Sequence, residues 1–172
     1  MKPAFKSFIV LIWCIFSTSV HAQSEFNQNY ISIGVVVEDL ETSVDFYTNI
    51  VGMTTTGGFT VDAQGSKKTG LTGGIPFDVT VLKLEDDPSA TEWKLLSFSK
   101  KATHPEQKHI QDDTGMQYIT IFVNDLHPFV KRLKENNIPL LGETPTQLND
   151  GRHFVLVQDP DGVFIELIGP MK

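Results

Sequence analysis

The fold is decided near the C-terminus, where residues 159–170 read DPDGVFIELIGP. Pro160 presets the backbone for the second position of a turn, and Gly162 tolerates the positive φ that such corners often need. The β-rich run that follows ends at the Gly-Pro pair. Because side chains alternate between the faces of a strand, Glu166 is a lone carboxylate on an apolar strand. Such a carboxylate faces water, a partner charge, a ligand or a metal ion.

The pattern around a strand-to-helix junction occurs twice in the chain. Residues 37–40 read VEDL and residues 123–126 read VNDL, so that Asp39 and Asp125 lie 86 positions apart. Apolar side chains alternate before each aspartate, which predicts a half-buried strand. Each aspartate is predicted to cap a helix that follows it. An internal repeat of one supersecondary unit is a strong architectural signal.

The same patterns give every predicted element. Strands are predicted at residues 30–37, 54–61, 77–84, 93–99, 117–123, 140–143, 152–158 and 163–168, helices at 39–52 and 125–136, a flexible loop at 63–76, and a polar linker at 99–115. The fold class is therefore α+β, with two tandem βαβββ modules that form a partly closed cleft. Strand parity assigns Ile33 and Ile119 to the helix-covered faces. The opposite faces must bury against each other or line the cleft.

The first 22 residues have the composition of a secretory signal peptide. Lys2 and Lys6 precede a short apolar stretch, and small residues lead up to a cleavage site after Ala22. The chain is therefore divided into a signal peptide at 1–22 and a domain at 23–172, with module one at about 28–99, a linker at about 100–115 and module two at about 116–172. A periplasmic or secreted location follows from this prediction.

Cleavage at that site changes both the thiol content and the charge. It removes Cys14, the one cysteine, so the mature chain has no disulfide and no thiolate metal site. It also leaves 12 basic side chains against 21 acidic ones, a net charge of −9. This balance argues against a nucleic acid or an anionic membrane as partner.

The mature chain resembles the vicinal oxygen chelate superfamily, which includes glyoxalase I, bleomycin-resistance proteins and extradiol dioxygenases. The resemblance rests on the two Asp-Leu junctions, the close of the first helix at residues 51–53 (VGM), and the ending at 159–167. It implies the fold specifically and the reaction only weakly, because one fold hosts several chemistries.

The resemblance also implies four side chains that meet in the cleft, one from the first and one from the last strand of each module. These positions fall on Ser32, Lys94, Tyr118 and Glu166. Metal-dependent members usually carry His, Glu or Gln there, so only Glu166 fits, and it is the single candidate for a catalytic role. A lysine ammonium has no lone pair to donate, and neutral hydroxyls are poor ligands for a divalent ion. No metal site and no cofactor are predicted.

Other candidates for the cleft come from strand parity. Phe98 and Phe122 either line the cleft or pack between the modules, and Arg152 either clamps an anion or lies at an exposed edge. His153 either lines the cleft or is a half-buried histidine. His104 and His109 lie in the linker, where a solvated loop is favoured over a role as ligands.

Three functions follow from these residues. The first is a secreted protein that binds a small molecule in the cleft without a standing metal ion. The alternative is a glyoxalase-like, metal-dependent lyase or isomerase of the lactoylglutathione lyase type, or a dioxygenase-related enzyme, which would recruit a divalent metal through Glu166 and linker histidines or at a homodimer interface. The third is a filled cleft that serves as an interaction scaffold.

A specific hypothesis concerns the charges in the cleft. Because Lys94 replaces a residue that would ligate metal, its ammonium is expected to pair with Glu166, with Ser32 and Tyr118 completing the hydrogen bonds. An internal ion pair would then stand where relatives hold a metal ion.

Overall fold

The computed structural model describes residues 25–103 and 105–172, and they form two four-stranded sheets. The strands are β1 (Ser32–Val36), β2 (Thr54–Val61), β3 (Phe77–Lys83), β4 (Glu92–Ser97), β5 (Tyr118–Phe122), β6 (Thr146–Gln147), β7 (His153–Gln158) and β8 (Phe164–Gly169). The first sheet has the order β1-β4-β3-β2 and the second β5-β8-β7-β6. In each sheet the first strand of the module forms one edge and pairs in parallel with the last strand, which confirms the predicted duplication. The predicted signal peptide lies outside the described residues.

The first helix begins and ends where the sequence predicts. The carboxylate of Asp39 accepts a hydrogen bond from the backbone of Thr42 at 2.9 Å and caps α1 (Leu40–Asp45). The helix continues as a π-helical segment, Phe46–Val51, and stops at Gly52, whose φ of 92° suits a residue without a side chain. In module two, α3 (His127–Glu135) starts one residue later than its aspartate predicts, and Asp125 still accepts from the backbone of His127 at 3.0 Å.

Two sequence predictions are wrong. The segment 63–76, predicted as a flexible loop, contains α2 (Ala63–Thr69), because Asp62 accepts from the Gly65 backbone at 2.7 Å and supplies an N-cap that outweighs the glycine content. The strand predicted at 140–143 is absent from the described structure, because Gly142 turns the chain with a φ of 63°. The short β6 replaces it.

Both modules contribute to one buried core. Its members are Val37, Phe46, Tyr47, Ile50, Val51, Met53, Leu82, Trp93, Leu95, Ile121, Leu126, Val130, Leu133, Val155, Val157, Ile165 and Leu167. Ile33 and Ile119 pack against this core, as strand parity predicts. The burial of so many large apolar side chains is the main force that holds the helices on the sheets.

The Asp159–Gly162 turn of module two forms hydrogen bonds with the first helix of module one and with the residue that precedes its cap. The hydroxyl of Tyr47 donates to the carboxylate of Asp159 at 2.7 Å, and both side chains are buried. Asp161 accepts from the hydroxyl of Ser43 at 2.9 Å and from the backbone of Glu38 at 2.8 Å. The turn that the sequence singles out therefore connects the two modules as well as two strands. None of the helices in the described ranges is both long and apolar enough to span a bilayer.

Candidate functional site

The strand register identifies the equivalent cleft positions in the two modules. Lys94 lies opposite Gly34 in the first sheet, and Glu166 lies opposite Thr120 in the second. Gly34 and Thr120 are themselves 86 residues apart, which is the offset of the repeat. Lys94 and Glu166 therefore occupy the same place in the two modules, on the concave faces away from the helices.

The concave face of module one carries a compact polar cluster. The ammonium of Lys94 lies 2.9 Å from the Glu92 carboxylate, and the hydroxyl of Ser32 donates to the same carboxylate oxygen at 2.6 Å. The hydrogen bond from Ser32, followed by that from Lys94, holds the pKa of Glu92 below its ordinary value. Glu92 and Lys94 expose only 23% and 26% of their side chains, so water screens this ion pair less than one at the surface.

This cluster lies in a groove of about 480 Å³ on the first sheet. Val81 forms part of its floor and Phe59 part of its wall, while Lys83 and Lys94 both line it. Lys83 lies two residues beyond Val81 on β3, so both side chains point to the concave face. Lys83 is nearly buried, and its ammonium donates to the backbone carbonyl of Asp87 at 3.0 Å.

The concave face of module two is arranged differently. Glu166 accepts a hydrogen bond from the hydroxyl of Thr120 at 2.5 Å. The predicted pairing of Lys94 with Glu166 is therefore wrong, since each charge is bound by a residue of its own sheet: Lys94 by Glu92, and Glu166 by Thr120. Local partners two positions away on the same strand, or directly opposite on the next one, are nearer than a group on the other sheet.

Three other predicted residues lie on or near the concave face of module two. Tyr118 and Phe122 alternate with buried residues on β5 and remain exposed. Arg152 forms an ion pair with Asp150 at 2.6 Å, and its guanidinium lies 5.7 Å from the centre of the Phe122 ring. The arginine is therefore bound within its own turn.

The last two predicted residues lie in packed surroundings. Phe98 contacts the ring of Phe77 at 5.1 Å between centres and packs against a small cluster on the first sheet. His153 shares a strand face with Val155, which is fully buried, and its Nδ1 is buried without a hydrogen-bond partner among the described residues. His153 therefore lies on the core side of its sheet, and it does not line the cleft, because parity places odd-numbered residues of β7 towards the helix.

Two larger grooves lie elsewhere, and the charged side chains that line them are all acidic. One, of about 770 Å³, lies beside the β3–β4 loop and the start of α3, where Asp87 binds Ser89 and Asp125 binds the backbone of His127. The other, of about 670 Å³, lies along the Asp159–Gly162 turn. Of these three grooves, that of module one is lined by charged side chains of both signs, and such convergent polar groups can orient a small ligand.

Comparison with known proteins identifies the family. The model of the Glyoxalase/Bleomycin resistance protein/Dioxygenase superfamily matches residues 28–167. The chain belongs to this superfamily. The predicted resemblance is therefore confirmed, and the matched range includes both modules.

Solved structures of similar proteins agree on the fold. A glyoxalase-family protein from Bacillus cereus has 18% identity and a TM-score of 0.71, with 88% of this chain and 99% of that chain covered. Glyoxalase I from Leishmania major has 23% identity and a TM-score of 0.58, with 80% and 84% covered. Glyoxalase I from Zea mays has 20% identity and a TM-score of 0.60, with 82% of this chain and 44% of that chain covered. At such identities the likeness shows the fold alone.

The residues of this superfamily member do not fit the divalent metal ion that the metal-dependent members bind. Lys94 places a cation at one of the four expected ligand positions, and its charge repels a metal ion. The hydroxyl of Ser32 donates its hydrogen bond to Glu92, and Tyr118 and Glu166 lie on the other sheet. Within residues 25–103 and 105–172, no three His, Cys, Asp or Glu side chains are grouped as metal ligands. One carboxylate on each sheet is too small a donor set.

The linker histidines do not add metal ligands to that donor set in the described structure. The backbone of His109 donates to Asp112 at 2.9 Å, and its ring is exposed and 3.9 Å from the same carboxylate. His104 lies outside the described residues. His109 is therefore part of a solvated loop, which is the interpretation that the sequence favours.

Sequence reasoning missed Glu92 and Lys83, the two charged neighbours of Lys94. The alternation of β4 contained a signal for Glu92, because residues two apart on a strand share a face. The sequence predicts a strand at Lys83 but no site there, since its proximity to Lys94 depends on how β3 and β4 align. A comparison of the two strands in register would have found both residues.

Proposed function

We propose that this chain binds a small organic molecule in the groove of module one and does so without a standing metal ion. The groove volume of about 480 Å³ is in the range of small-molecule sites. Its lining offers an ammonium donor, a carboxylate acceptor and apolar side chains. Together these groups can orient a small ligand.

One observation carries the proposal. The ammonium of Lys94 is bound to Glu92 at 2.9 Å at the position equivalent to Glu166. A positive charge held at that position disfavours a second cation there, while it leaves the groove open to an organic ligand. Binding rather than metal-dependent lyase chemistry is therefore the function that these residues support best.

Metal analysis of the purified mature protein tests the first half of the proposal. After exposure to Zn²⁺, Ni²⁺, Mn²⁺ or Fe²⁺ and desalting, elemental analysis should find far less than one equivalent of each metal. Lys94→Glu is the matched variant, because it removes the cation and puts a carboxylate beside Glu92. We expect this variant to retain more metal than the parent protein. Stoichiometric metal in the parent, lost on Glu166→Gln, would support the lyase alternative and overturn the proposal.

A ligand screen tests the second half. Small organic molecules that bind the folded state raise the melting temperature, by an amount that grows with the logarithm of the ratio of ligand concentration to Kd. Hits should perturb the amide resonances of Gly57, Val81 and Lys94 in two-dimensional NMR spectra. If no compound of a broad library perturbs these residues, the groove is not a ligand site, and the scaffold interpretation gains support.

We also propose that the protein is exported and cleaved after Ala22, on the basis of the charged, apolar and small-residue segments of the first 22 residues. N-terminal sequencing of the protein from its native cell should begin at Gln23. A mature chain that still contains Trp13 would contradict this proposal without affecting the proposed binding site.

A further inference from the structure

The groove of module one contains more positive than negative charge among its least exposed groups. Lys83 and Lys94 both line it, and Glu92 is the half-buried carboxylate that faces them. Asp86 also lines the groove, but it is exposed at the rim, where water screens its charge. The whole lining therefore has two ammonium groups and two carboxylates, but its three less exposed groups, Lys83, Lys94 and Glu92, sum to one positive charge.

Lys83 is the less well satisfied of the two lysines. It exposes only 9% of its surface, and its ammonium makes one hydrogen bond, to the carbonyl oxygen of Asp87. The ring of Tyr30 also lies near, with its centre 5.9 Å from the ammonium, and the carboxylates of Asp87 and Glu92 interact with this charge at longer range. No carboxylate within the described ranges forms an ion pair with Lys83. Because an ammonium carries three donors, two remain for another acceptor, and a buried cation gains most from an anion.

The positions of the two lysines allow them to bind the same group. Lys94 lies directly opposite Val81, and Lys83 is two residues further along the same strand. The two lysines are therefore diagonal neighbours on one sheet face, about 7–8 Å apart at their Cα atoms. Long lysine side chains at this spacing reach a common point between them.

The remaining wall of the groove is apolar and has free space. Phe59 exposes about half of its surface, at 52%, and Val81 forms a buried floor. Gly57 lies beside them, and a Cβ built at this position would meet no heavy atom within 4 Å. A flat apolar body can therefore lie next to the Phe59 ring while a charged end points to the lysines.

We propose that this groove binds a small organic carboxylate, whose charged group contacts the ammonium groups of Lys83 and Lys94 and whose apolar body lies against Phe59 and Val81. This assignment rests on the proposed binding function and names its ligand class. The one positive charge left among the less exposed groups matches a monoanion. Glu92 keeps Lys94 oriented towards the groove through their 2.9 Å contact.

Titrations of the mature protein with three probes of the same shape test the charge requirement. Benzoate is an anion, benzamide is neutral and benzylamine is a cation. We expect benzoate to shift the amide resonances of Gly57 and Val81 and to bind at least about tenfold more tightly than either other probe, since a hydrogen bond between charged groups contributes about that factor. Added salt should weaken benzoate binding and leave benzamide unaffected.

Lysine variants then test the two contacts. Lys83→Met and Lys94→Met should each weaken benzoate binding about tenfold or more. Lys67→Met is the matched control, because this exposed lysine lies on α2 outside the groove, and its variant should bind benzoate as the parent does. If Lys83→Met does not fold, Lys83→Arg replaces it in the test, together with Lys94→Met. The arginine variant keeps the charge and should retain benzoate binding, while Lys94→Met should weaken it.

The possible failures can be told apart. Benzamide binding as tightly as benzoate, or benzoate binding unchanged in the methionine variants, would overturn the carboxylate assignment alone. If neutral or cationic compounds shift Gly57 and Val81 while benzoate does not, the proposed function stands and only the ligand class is wrong. If a broad library shifts neither residue, the binding function itself fails.

Discussion

The two modules place an Asp-Pro turn before their last strand, and only one of these turns joins the modules. Asp159-Pro160 lies 72 residues after Asp87-Pro88, and the same offset relates Glu166 to Lys94. Asp159 is buried and accepts from the hydroxyl of Tyr47 in the other module at 2.7 Å. Asp87 is exposed and accepts from the backbone of Ser89 in its own turn at 2.6 Å. Duplication has preserved the position of the aspartate, while burial decides whether it acts locally or between modules.

The equivalent cleft residues of the two modules, Lys94 and Glu166, also differ in their partners. Lys94 in module one is held by Glu92, and Glu166 in module two is held by Thr120. Each module therefore satisfies its own charge, and neither depends on the opposite sheet. A cleft organised in this way does not require a bridging metal ion, and the two modules are free to differ in what they bind.

The largest expected effect comes from the turn that joins the modules. Asp159→Ala leaves the buried hydroxyl of Tyr47 and the backbone N–H groups of Asp161 and Val163 without their acceptor. Unsatisfied buried polar groups are costly, so we expect a loss of about 2–4 kcal/mol in the free energy of unfolding. Urea titration of both proteins measures it. Tyr47→Phe, which removes one of these bonds, should cost less.

Asp87→Ala is the comparison for this variant. Its carboxylate is exposed and bonds within a single turn, so the urea midpoint should shift much less than in Asp159→Ala. Equal losses for the two variants would show that the modules do not depend on the buried turn, and the contrast between them would disappear.

The two aspartates should also give opposite dependences on pH. Burial raises the pKa of Asp159 above its ordinary value, so its contribution to stability is present below the ordinary pKa and is lost as pH rises through the raised one. Hydrogen bonds from Ser89 lower the pKa of Asp87, so its contribution is present above the ordinary pKa and is lost as pH falls through the lowered one.

Unfolding of Asp159→Asn and Asp87→Asn across acidic pH measures these signs. Relative to the parent protein, Asp159→Asn should gain stability as pH rises above the ordinary range of aspartate. Asp87→Asn should instead lose stability relative to the parent over the rise from strongly acidic pH. The same sign for both variants would contradict the assignment of opposite environments.

A smaller effect is expected at the ion pair of module one. Lys94→Met removes the ammonium from Glu92, but the carboxylate keeps the hydrogen bond from Ser32 and is partly exposed. We expect a loss of about 1 kcal/mol or less. A double-mutant cycle with Lys94→Met, Glu92→Gln and the double variant measures the interaction energy between the two side chains. An interaction energy indistinguishable from zero would show that the ion pair does not contribute to stability as a unit.

Much of the fold could be predicted from local patterns, because alternation and capping act over a few residues. The repeat offset between Asp39 and Asp125 fixed the topology, and the turn at Gly162, which has a φ of 87°, formed as its sequence indicates. The hydrogen bond between Tyr47 and Asp159 could not be predicted in this way. Its partners are 112 residues apart, and a single sequence contains no local signal for such a contact.

The site was predictable in position but not in pairing. Parity and the repeat predict equivalent positions for Lys94 and Glu166, and the strand register puts them opposite Gly34 and Thr120 in the two sheets. Which carboxylate the ammonium contacts depends on the separation of the two sheets and on side-chain rotamers, which the alternation of apolar residues does not encode. The nearer acceptor, Glu92, therefore replaced the predicted one.

The smallest effect, and the sharpest test of the difference between the modules, is expected for Glu166→Gln. The carboxylate accepts a hydrogen bond from the hydroxyl of Thr120 at 2.5 Å, and the amide oxygen of glutamine can accept the same bond. Because Glu166 is only partly buried and bound within its own sheet, we expect the free energy of unfolding to change by no more than about 0.5 kcal/mol.

Benzoate affinity should be unchanged in the same variant, because the groove of module one does not include Glu166. Urea titration and the NMR titration described above measure both quantities, with Glu92→Gln as the matched variant in module one. Glu92→Gln should change the Kd for benzoate, since it replaces the carboxylate that orients Lys94. A large loss of binding or metal content in Glu166→Gln would instead place the functional centre on module two, and the lysines of module one would then have a structural role.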